Sequence, residues 1–360
     1  MIHVVKRKEL PLAQTLAIRL GFIAIALVVC GVITALMTGL NPIDVYATMI
    51  KGALGTQRKV WILLQEMAIL LCVSLALTPA FRMKFWNLGG EGQILVGCLA
   101  SAACMILAGD RLPDAILICM MLVASLLAGA VWALVPAIFK ARWGTNETLF
   151  TLMMNYVATQ LVAYYVIVWE TPKGSGQIGI INQSTNAGWL PQLAGNKYLL
   201  NVVLVAALTV MMYVYLTYSK QGYEISVVGE SSSTARYVGI KVNRVILRTL
   251  MISGAICGFT GFLLVAGTNH TLTTTLAGGR GFTAVMVAWL AKFNPLVMVA
   301  SSFLLEFMGS GAGEISTIYG LNQSFGDILT GIILFFIIGT EFFLTYKVVF
   351  ASKKEAATDV

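Results

Sequence analysis

The residues in this chain that could do chemistry are few, and they sit in apolar surroundings. Asn87, Glu91 and Gln93 open one long apolar run, Asn155 and Tyr156 lie within another, and Glu66, Glu306 and Glu341 are isolated carboxylates in or beside others. Polar groups placed this way are costly in hydrocarbon, and face a cavity, a partner or one another. Neutral amides next to an aromatic ring suit a hydroxylated or heterocyclic solute, which needs directional hydrogen bonds and a ring face. The same amides also suit interhelical hydrogen bonding that only holds a bundle together, and both readings stay open here.

Catalysis has no comparable basis. The two histidines, His3 and His270, lie far apart in the chain, and there is no HExxH, no GxSxG and no carboxylate pair with a partner histidine. No GxxxxGK[ST] loop is present to cradle ATP phosphates. If ATP drives this protein, ATP and Mg belong to a separate polypeptide, and no cofactor or metal is expected on this chain. The six cysteines (Cys30, Cys72, Cys98, Cys104, Cys119 and Cys257) fall in apolar runs without a CxxC pair, and read as small buried hydrophobes.

The elements that must position these residues follow from composition. Of 360 residues 58% are hydrophobic and 11% charged, and the mean hydropathy is +0.84. Apolar runs of 18 or more residues recur along the whole length, each long enough to cross about 30 Å of hydrocarbon. The fold class predicted is all-α: one polytopic transmembrane bundle over 1–360, with about ten spans and both termini cytoplasmic. Lys6, Arg7 and Lys8 precede an apolar stretch over 16–40 that is too long for a signal peptide's apolar region, so it reads as the first span. The net charge of +8 does not require nucleic acid: most Lys and Arg fall on the predicted cytoplasmic side, as the positive-inside rule expects in contact with membrane lipid.

Spans are predicted at 16–40, 61–81, 87–109, 113–139, 148–169, 198–218, 246–267 and 327–346. Two shorter helices at 281–291 and 295–309 complete the ten, the first being too short to cross and expected as a half-helix. Residues 43–59 read as an external loop or interfacial helix. Residues 170–197 form an extracytoplasmic segment, with Trp169, Trp189 and Tyr198 as an aromatic belt. A polar tail is expected at 353–360. Gly89-Gly90-Glu91-Gly92 and Gly278-Gly279-Arg280-Gly281 each open an apolar run, and are expected at opposite ends of the membrane as traces of an inverted repeat, a pattern that points toward a substrate route.

The chain leaves this apolar pattern at 219–245. A helix is expected to start after Gly222, Ser231 to Thr234 offer caps for a second, and Gly239 ends it. That short helix over 232–238, ringed by Arg236, Lys241 and Arg244, is predicted to insert into a groove on a soluble partner.

Four stretches then coincide with a known family. Phe85-Trp86-Asn87-Leu88-Gly89-Gly90-Glu91-Gly92-Gln93 is similar to an FNIGxEGQ signature, and the run from Asn146 to Ala158 (NETLFTLMMNYVA) to a NEV-I-TLMLNYIA stretch. Gly222–Ile240 resembles the family's coupling segment, with Ser226 in place of the usual Arg. Gly279–Ala291 resembles G-x-G-F-x-G-I-A-V-A-L-L-G, with Ala284 in place of a Gly. The chain therefore resembles permease subunits of bacterial ABC importers in the branched-chain amino acid/ribose-type superfamily, nearest to the nucleoside and simple-sugar branch. The resemblance implies a cytoplasmic-membrane importer with two permease subunits, identical or homologous, two cytoplasmic ATPase subunits that bind ATP and Mg, and an extracytoplasmic substrate-binding lipoprotein. Nucleosides are the expected cargo and simple sugars the alternative; a stand-alone secondary transporter is the rival from another class. Residues and resemblance together give the candidate substrate pathway (Asn87, Glu91, Gln93, Asn155, Tyr156 and Phe282) and the candidate ATPase-coupling residues (Gly222, Tyr223, Glu224, Gly229, Glu230, Ala235, Arg236, Gly239 and Ile240).

Overall fold

Helix ends fall where the local chemistry of the chain puts them. Asn41 caps the Pro42–Leu54 helix through Ile43 N–H, with Pro42 in the first turn, and the Asn146 side chain accepts from Thr148 and Leu149 N–H at the start of Glu147–Val168. The computed structural model of the protein describes residues 2–6, 11–109 and 111–350. The expected tail at 353–360, and Arg7 and Lys8, lie outside the described residues.

In chain order the helices are α1 (Leu12–Thr38), α2 (Pro42–Leu54), α3 (Gln57–Arg82), α4 (Gly90–Ala108), α5 (Asp114–Trp143), α6 (Glu147–Val168), α7 (Leu199–Tyr218), α8 (Lys220–Glu230), α9 (Ser232–Tyr237), α10 (Val242–Phe262), α11 (Arg280–Leu290), α12 (Pro295–Tyr319) and α13 (Gln323–Thr345), with a π-helical turn, Leu263–Asn269, continuing α10. Nine helices among the described residues are long and apolar enough to cross a membrane: α1, α3 to α7, α10 with its π turn, α12 and α13. The polytopic helical fold is as expected, with nine long helices and one half-length helix, α11, in place of ten spans.

Residues 43–59, read as an external loop or an interfacial helix, hold most of the 13-residue helix α2. One boundary differs from expectation. The helix expected to stop at 309 runs on to Tyr319 as the 25-residue α12. Glycines at 309, 311 and 313 lie within it and do not end it; small residues at a helix–helix contact let backbones approach closely. A Cβ at Gly311 would overlap the Met49 side chain, and one at Gly52 would overlap Glu314.

The chain divides into two compact units, Trp61–Leu304, and Met1–Val60 with Leu305–Val360. In the second of these α1 packs along α13, with the Phe22 and Phe343 rings 4.9 Å apart, and Lys59 pairs with Glu314 at 2.8 Å. A short antiparallel ribbon, β1 (Ile2–Lys6) with β2 (Tyr346–Phe350), pairs Ile2 with Phe350 and Lys6 with Tyr346. It is a small addition to an otherwise helical chain.

The larger unit is built on α4, α5 and α10, which meet along a seam of small residues. At the tightest points a Cβ on Gly129 would overlap the Gly254 carbonyl oxygen, and one on Gly258 the Ser125 carbonyl oxygen. Helices α3 and α10 are 72% and 78% buried over their most apolar windows, whereas α5 and α6 are each 28% buried. The first pair is core; the second presents Val123, Leu127, Val131, Leu149 and Met153 outward, as lipid-facing helices do.

Candidate translocation path and coupling surface

Asn87, Gln93 and Asn155 are buried and joined through the bend that leads into α4. Asn87 Nδ2 donates to Ser253 Oγ at 3.3 Å, and its Oδ1 accepts from Gly89 N–H at 3.1 Å and Gln93 Nε2 at 3.2 Å. Asn155 donates to the Leu88 carbonyl at 2.8 Å and accepts from Gly92 N–H at 2.9 Å. Thr151 completes the set by accepting from Leu88 N–H at 3.2 Å. Backbone groups freed by a broken helix inside a membrane must be satisfied by protein, and these amides do that for residues 87–92. Their first service is thus to hold the break; Gln93 Oε1 is left without a hydrogen-bond partner among the described residues.

Glu91 does something the sequence did not reveal. Its Oε1 accepts from Gly279 N–H and its Oε2 from Gly281 N–H, each at 2.8 Å. The carboxylate therefore caps the N-terminus of α11 with both oxygens, where helix partial charge and unpaired N–H groups favour an anion. Gly278 and Gly279 take φ of 63° and 73°, a left-handed pair that other residues adopt at a cost, and a Cβ on Gly281 would overlap the Glu91 backbone nitrogen. Arg280 folds back to donate to the Ala277 carbonyl at 3.3 Å and pairs with Glu66 on α3.

The two Gly-Gly-x-Gly stretches, expected at opposite ends of the membrane, thus meet in direct contact. Each starts a helix part-way along its neighbours. Asn155, which holds the start of α4, lies eight residues into α6, or about 12 Å, and the eleven residues of α11 span only about 16 Å. Tyr156 takes no part in this junction, and Phe282, the residue after Gly281, leaves it on an outward face; they are 68% and 45% exposed.

The 170–197 segment is folded onto the far end of the larger unit. Ile181 N–H donates to the His270 carbonyl and Leu190 N–H to the Ala266 carbonyl, both at 2.8 Å, and the Thr271 hydroxyl donates to the Ile178 carbonyl at 2.7 Å. Trp189 stacks flat on His270, with centroids 3.8 Å apart, and donates to the Ile181 carbonyl. Burial holds the His270 imidazole below its ordinary pKa, against a hydrogen bond involving Val265, and Lys197 adds to the lowering. A histidine with a lowered folded pKa is neutral in the fold, so the opened segment takes up a proton first as pH falls below about 6.5. Hydrogen exchange at residues 178–190 is expected to speed up several-fold between pH 7.5 and 5.5, after correction for intrinsic rates. His270→Phe, which keeps the stack and removes the proton site, should abolish that dependence; its persistence in the variant would refute the assignment.

The predicted polar island is two helices. Ser219 caps α8 through Gly222 N–H at 2.9 Å, so α8 begins before Gly222 rather than after it, and Ser231 caps α9 through Thr234 N–H at 3.2 Å. Gly239 at φ 83° turns the chain, and Ile240 N–H closes on the Ala235 carbonyl at 2.9 Å. The nine candidate residues divide by environment. Gly222, Gly229 and Ala235 are buried, with Ile225, Val228 and Ala235 packed into a cluster with Met83, Phe85, Val242 and Val245. Glu224 pairs with Arg248 at 2.9 Å. Tyr223, Glu230, Arg236 and Gly239 face outward, and Ile240 is half-buried. Sequence reasoning missed Tyr237 and Val238, 92% and 59% exposed at the α9 tip; two large apolar residues next to a helix-ending glycine were the signal.

A helical bundle in which the starts of two helices meet, with an exposed helix pair at one end, is the architecture of a membrane permease. The chain belongs to the family described as "Branched-chain amino acid transport system / permease component", whose model matches residues 60–338; it is a transport component, not an enzyme. It is 28% identical to the guanosine ABC transporter permease protein NupP of Bacillus subtilis, over 92% of this chain and 94% of that protein. It is 26% identical to the nucleoside ABC transporter permease protein NupB of Lactococcus lactis, over 91% and 90%. It is also 26% identical to the glucose ABC transporter permease protein TsgB13 of Haloferax volcanii, over 90% and 87%.

Proposed function

We propose that this chain is the membrane-spanning subunit of an ATP-driven importer that carries nucleosides across a bacterial cytoplasmic membrane, with both termini cytoplasmic. The observation that carries the importer reading is the α8–α9 pair. Its buried face is locked to the ends of α3 and α10, and its other face offers Tyr223, Glu230, Arg236, Tyr237 and Val238 to a partner. Such a surface suits a groove on a soluble ATPase, which would bind ATP and Mg. A second permease subunit and an extracytoplasmic binding lipoprotein complete the assembly. Two of the three relatives named above bear nucleoside names, which supports nucleosides over simple sugars as cargo.

A stand-alone secondary transporter is less well supported. Glu66 is engaged by Arg280 and Glu91 by two backbone amides, so both carboxylates have structural partners within the fold. The test is uptake into liposomes holding this chain with the ATPase, second permease subunit and binding protein of the same importer. ATP-dependent accumulation of labelled guanosine, undiminished by excess glucose, is the expected result. Uptake driven by an ion gradient without ATPase would overturn the importer, and uptake of glucose alone would overturn the nucleoside assignment.

A further inference from the structure

A cleft of about 470 Å³ lies where α3, α8 and α11 converge, lined by Phe81, Arg82, Lys84, Trp86, Ser226, Gly229, Glu230, Trp289 and Phe293. Its four rings form one contact set: Trp86 and Trp289 stack with centroids 5.5 Å apart, Phe81 meets Trp86 edge-on at 5.8 Å, and Phe293 lies 5.8 Å from Trp289 and 6.4 Å from Phe81. Trp86 and Trp289 are still 43% and 51% exposed, so each offers ring surface to a further group. The volume falls within the range of small-molecule sites, roughly 300–1,000 Å³.

We propose that this cleft is the release site of the translocation path, and that it takes the planar heterocycle of the cargo by stacking on Trp86 and Trp289. This rests on the nucleoside reading above. Two placements support it. On α11 the exposed residues Phe282, Met286 and Trp289 recur at helical spacing, so they form one stripe. The stripe runs from the junction capped by Glu91 to the cleft, and Trp86 stands one residue before the Asn87 network. The other wall is α8, so the cleft adjoins the helix that meets the ATPase, and displacement of α8 changes its width.

Its chemistry also selects among occupants. Aromatic faces at a membrane boundary often meet lipid headgroups, but here the opposite wall carries Ser226 and exposed Glu230 on a polar helix that hydrocarbon does not accommodate. Glu230 with Arg82 and Lys84 gives the lining both acceptors and donors, which the base and sugar edges of a nucleoside can use. Base-on-aromatic stacking needs no particular base, which suits a site of passage.

The test is photolabelling of the complete importer in liposomes with 8-azidoguanosine during ATP turnover, with labelled peptides mapped by mass spectrometry. Labelling within 81–86 and 289–293, suppressed by excess guanosine but not by glucose, is the expected result. In parallel, Trp289→Leu should lower guanosine uptake at least tenfold, while Trp289→Phe, which keeps a ring, should recover most of it. Absence of label from these peptides with guanosine uptake intact would overturn the release site and leave the nucleoside reading standing. No guanosine uptake by the unmodified importer would instead overturn the nucleoside reading. Quenching of Trp86 and Trp289 fluorescence by brominated phospholipid that guanosine does not relieve would show lipid in the cleft and overturn the proposal.

Discussion

Replacing Gly229 with valine is expected to lower ATP-driven uptake at least a hundredfold while the protein still reaches the membrane. A Cβ at Gly229 would overlap the Arg82 carbonyl oxygen and crowd Met83, both backbone neighbours that cannot swing aside. Overpacking a tight contact costs about 1–3 kcal/mol when neighbours are forced to shift. Here the easiest shift is of α8 itself, because its buried side is short: Gly222, Ile225, Val228 and Gly229. Moving α8 off the end of α3 carries Tyr223, Glu230 and the capped α9 out of position for a partner. Gly239 supplies the contrast. Its φ is 83° but a Cβ there meets nothing, so Gly239→Ala strains only the local backbone, by about 1–2 kcal/mol, and should cost far less uptake. Uptake and ATP hydrolysis measured side by side in liposomes decide it. Wild-type uptake by Gly229→Val would sink the coupling role, and a deficit in Gly239→Ala as large as that of Gly229→Val would show general fragility instead.

The α8–α9 pair was also the part most legible in the sequence. Its second cap, Ser231, and its stop, Gly239, act through bonds only three to five residues long, so their types and spacing are sufficient signals; the first cap, Ser219, went unread because Gly222 looked like the start. The lengths of α3 to α7 were legible for a similar reason, since a span must match the hydrocarbon thickness whatever it packs on. Long-range partners left no such trace. Glu91 and Gly279 are 188 residues apart and Arg280 and Glu66 are 214 apart, and no local pattern marks a carboxylate as the cap of a distant helix. Glycine was ambiguous for the same reason. At 278 and 279 it supports a left-handed turn, whereas at 311 it lets two helices touch, and only the neighbours decide which. Trp189 and His270 are a further long-range pair whose stacking no local pattern marks.

Glu91→Ala is expected to have the second large effect, reducing uptake at least a hundredfold, with Glu91→Gln intermediate. The alanine variant leaves the N–H groups of Gly279 and Gly281 without the acceptors they have now, in a part-buried junction. Hydrogen bonds to a charged group contribute about 1.5–3 kcal/mol each, and the carboxylate also complements the positive end of α11. Together these exceed what a half-helix of eleven residues can replace from its own packing, since its buried face is only Gly281, Ala284, Val287 and Ala288. Without the cap, the turn at Gly278 and Gly279 has little reason to hold its left-handed form, and Arg280 loses its fixed approach to Glu66. Glutamine keeps one acceptor oxygen and presents an amide donor toward a second donor, so about half the cap survives. Aspartate keeps the charge but is one methylene shorter, and the bidentate reach to both amides fails. The measurements are uptake in liposomes and thermal unfolding in detergent. The expected order for both is wild type, then Gln, then Ala, with the overall helix content by circular dichroism nearly unchanged. A Glu91→Ala protein that transports and melts like wild type would mean that α11 needs no cap, and that the meeting of the two Gly-Gly-x-Gly stretches does not organise the path.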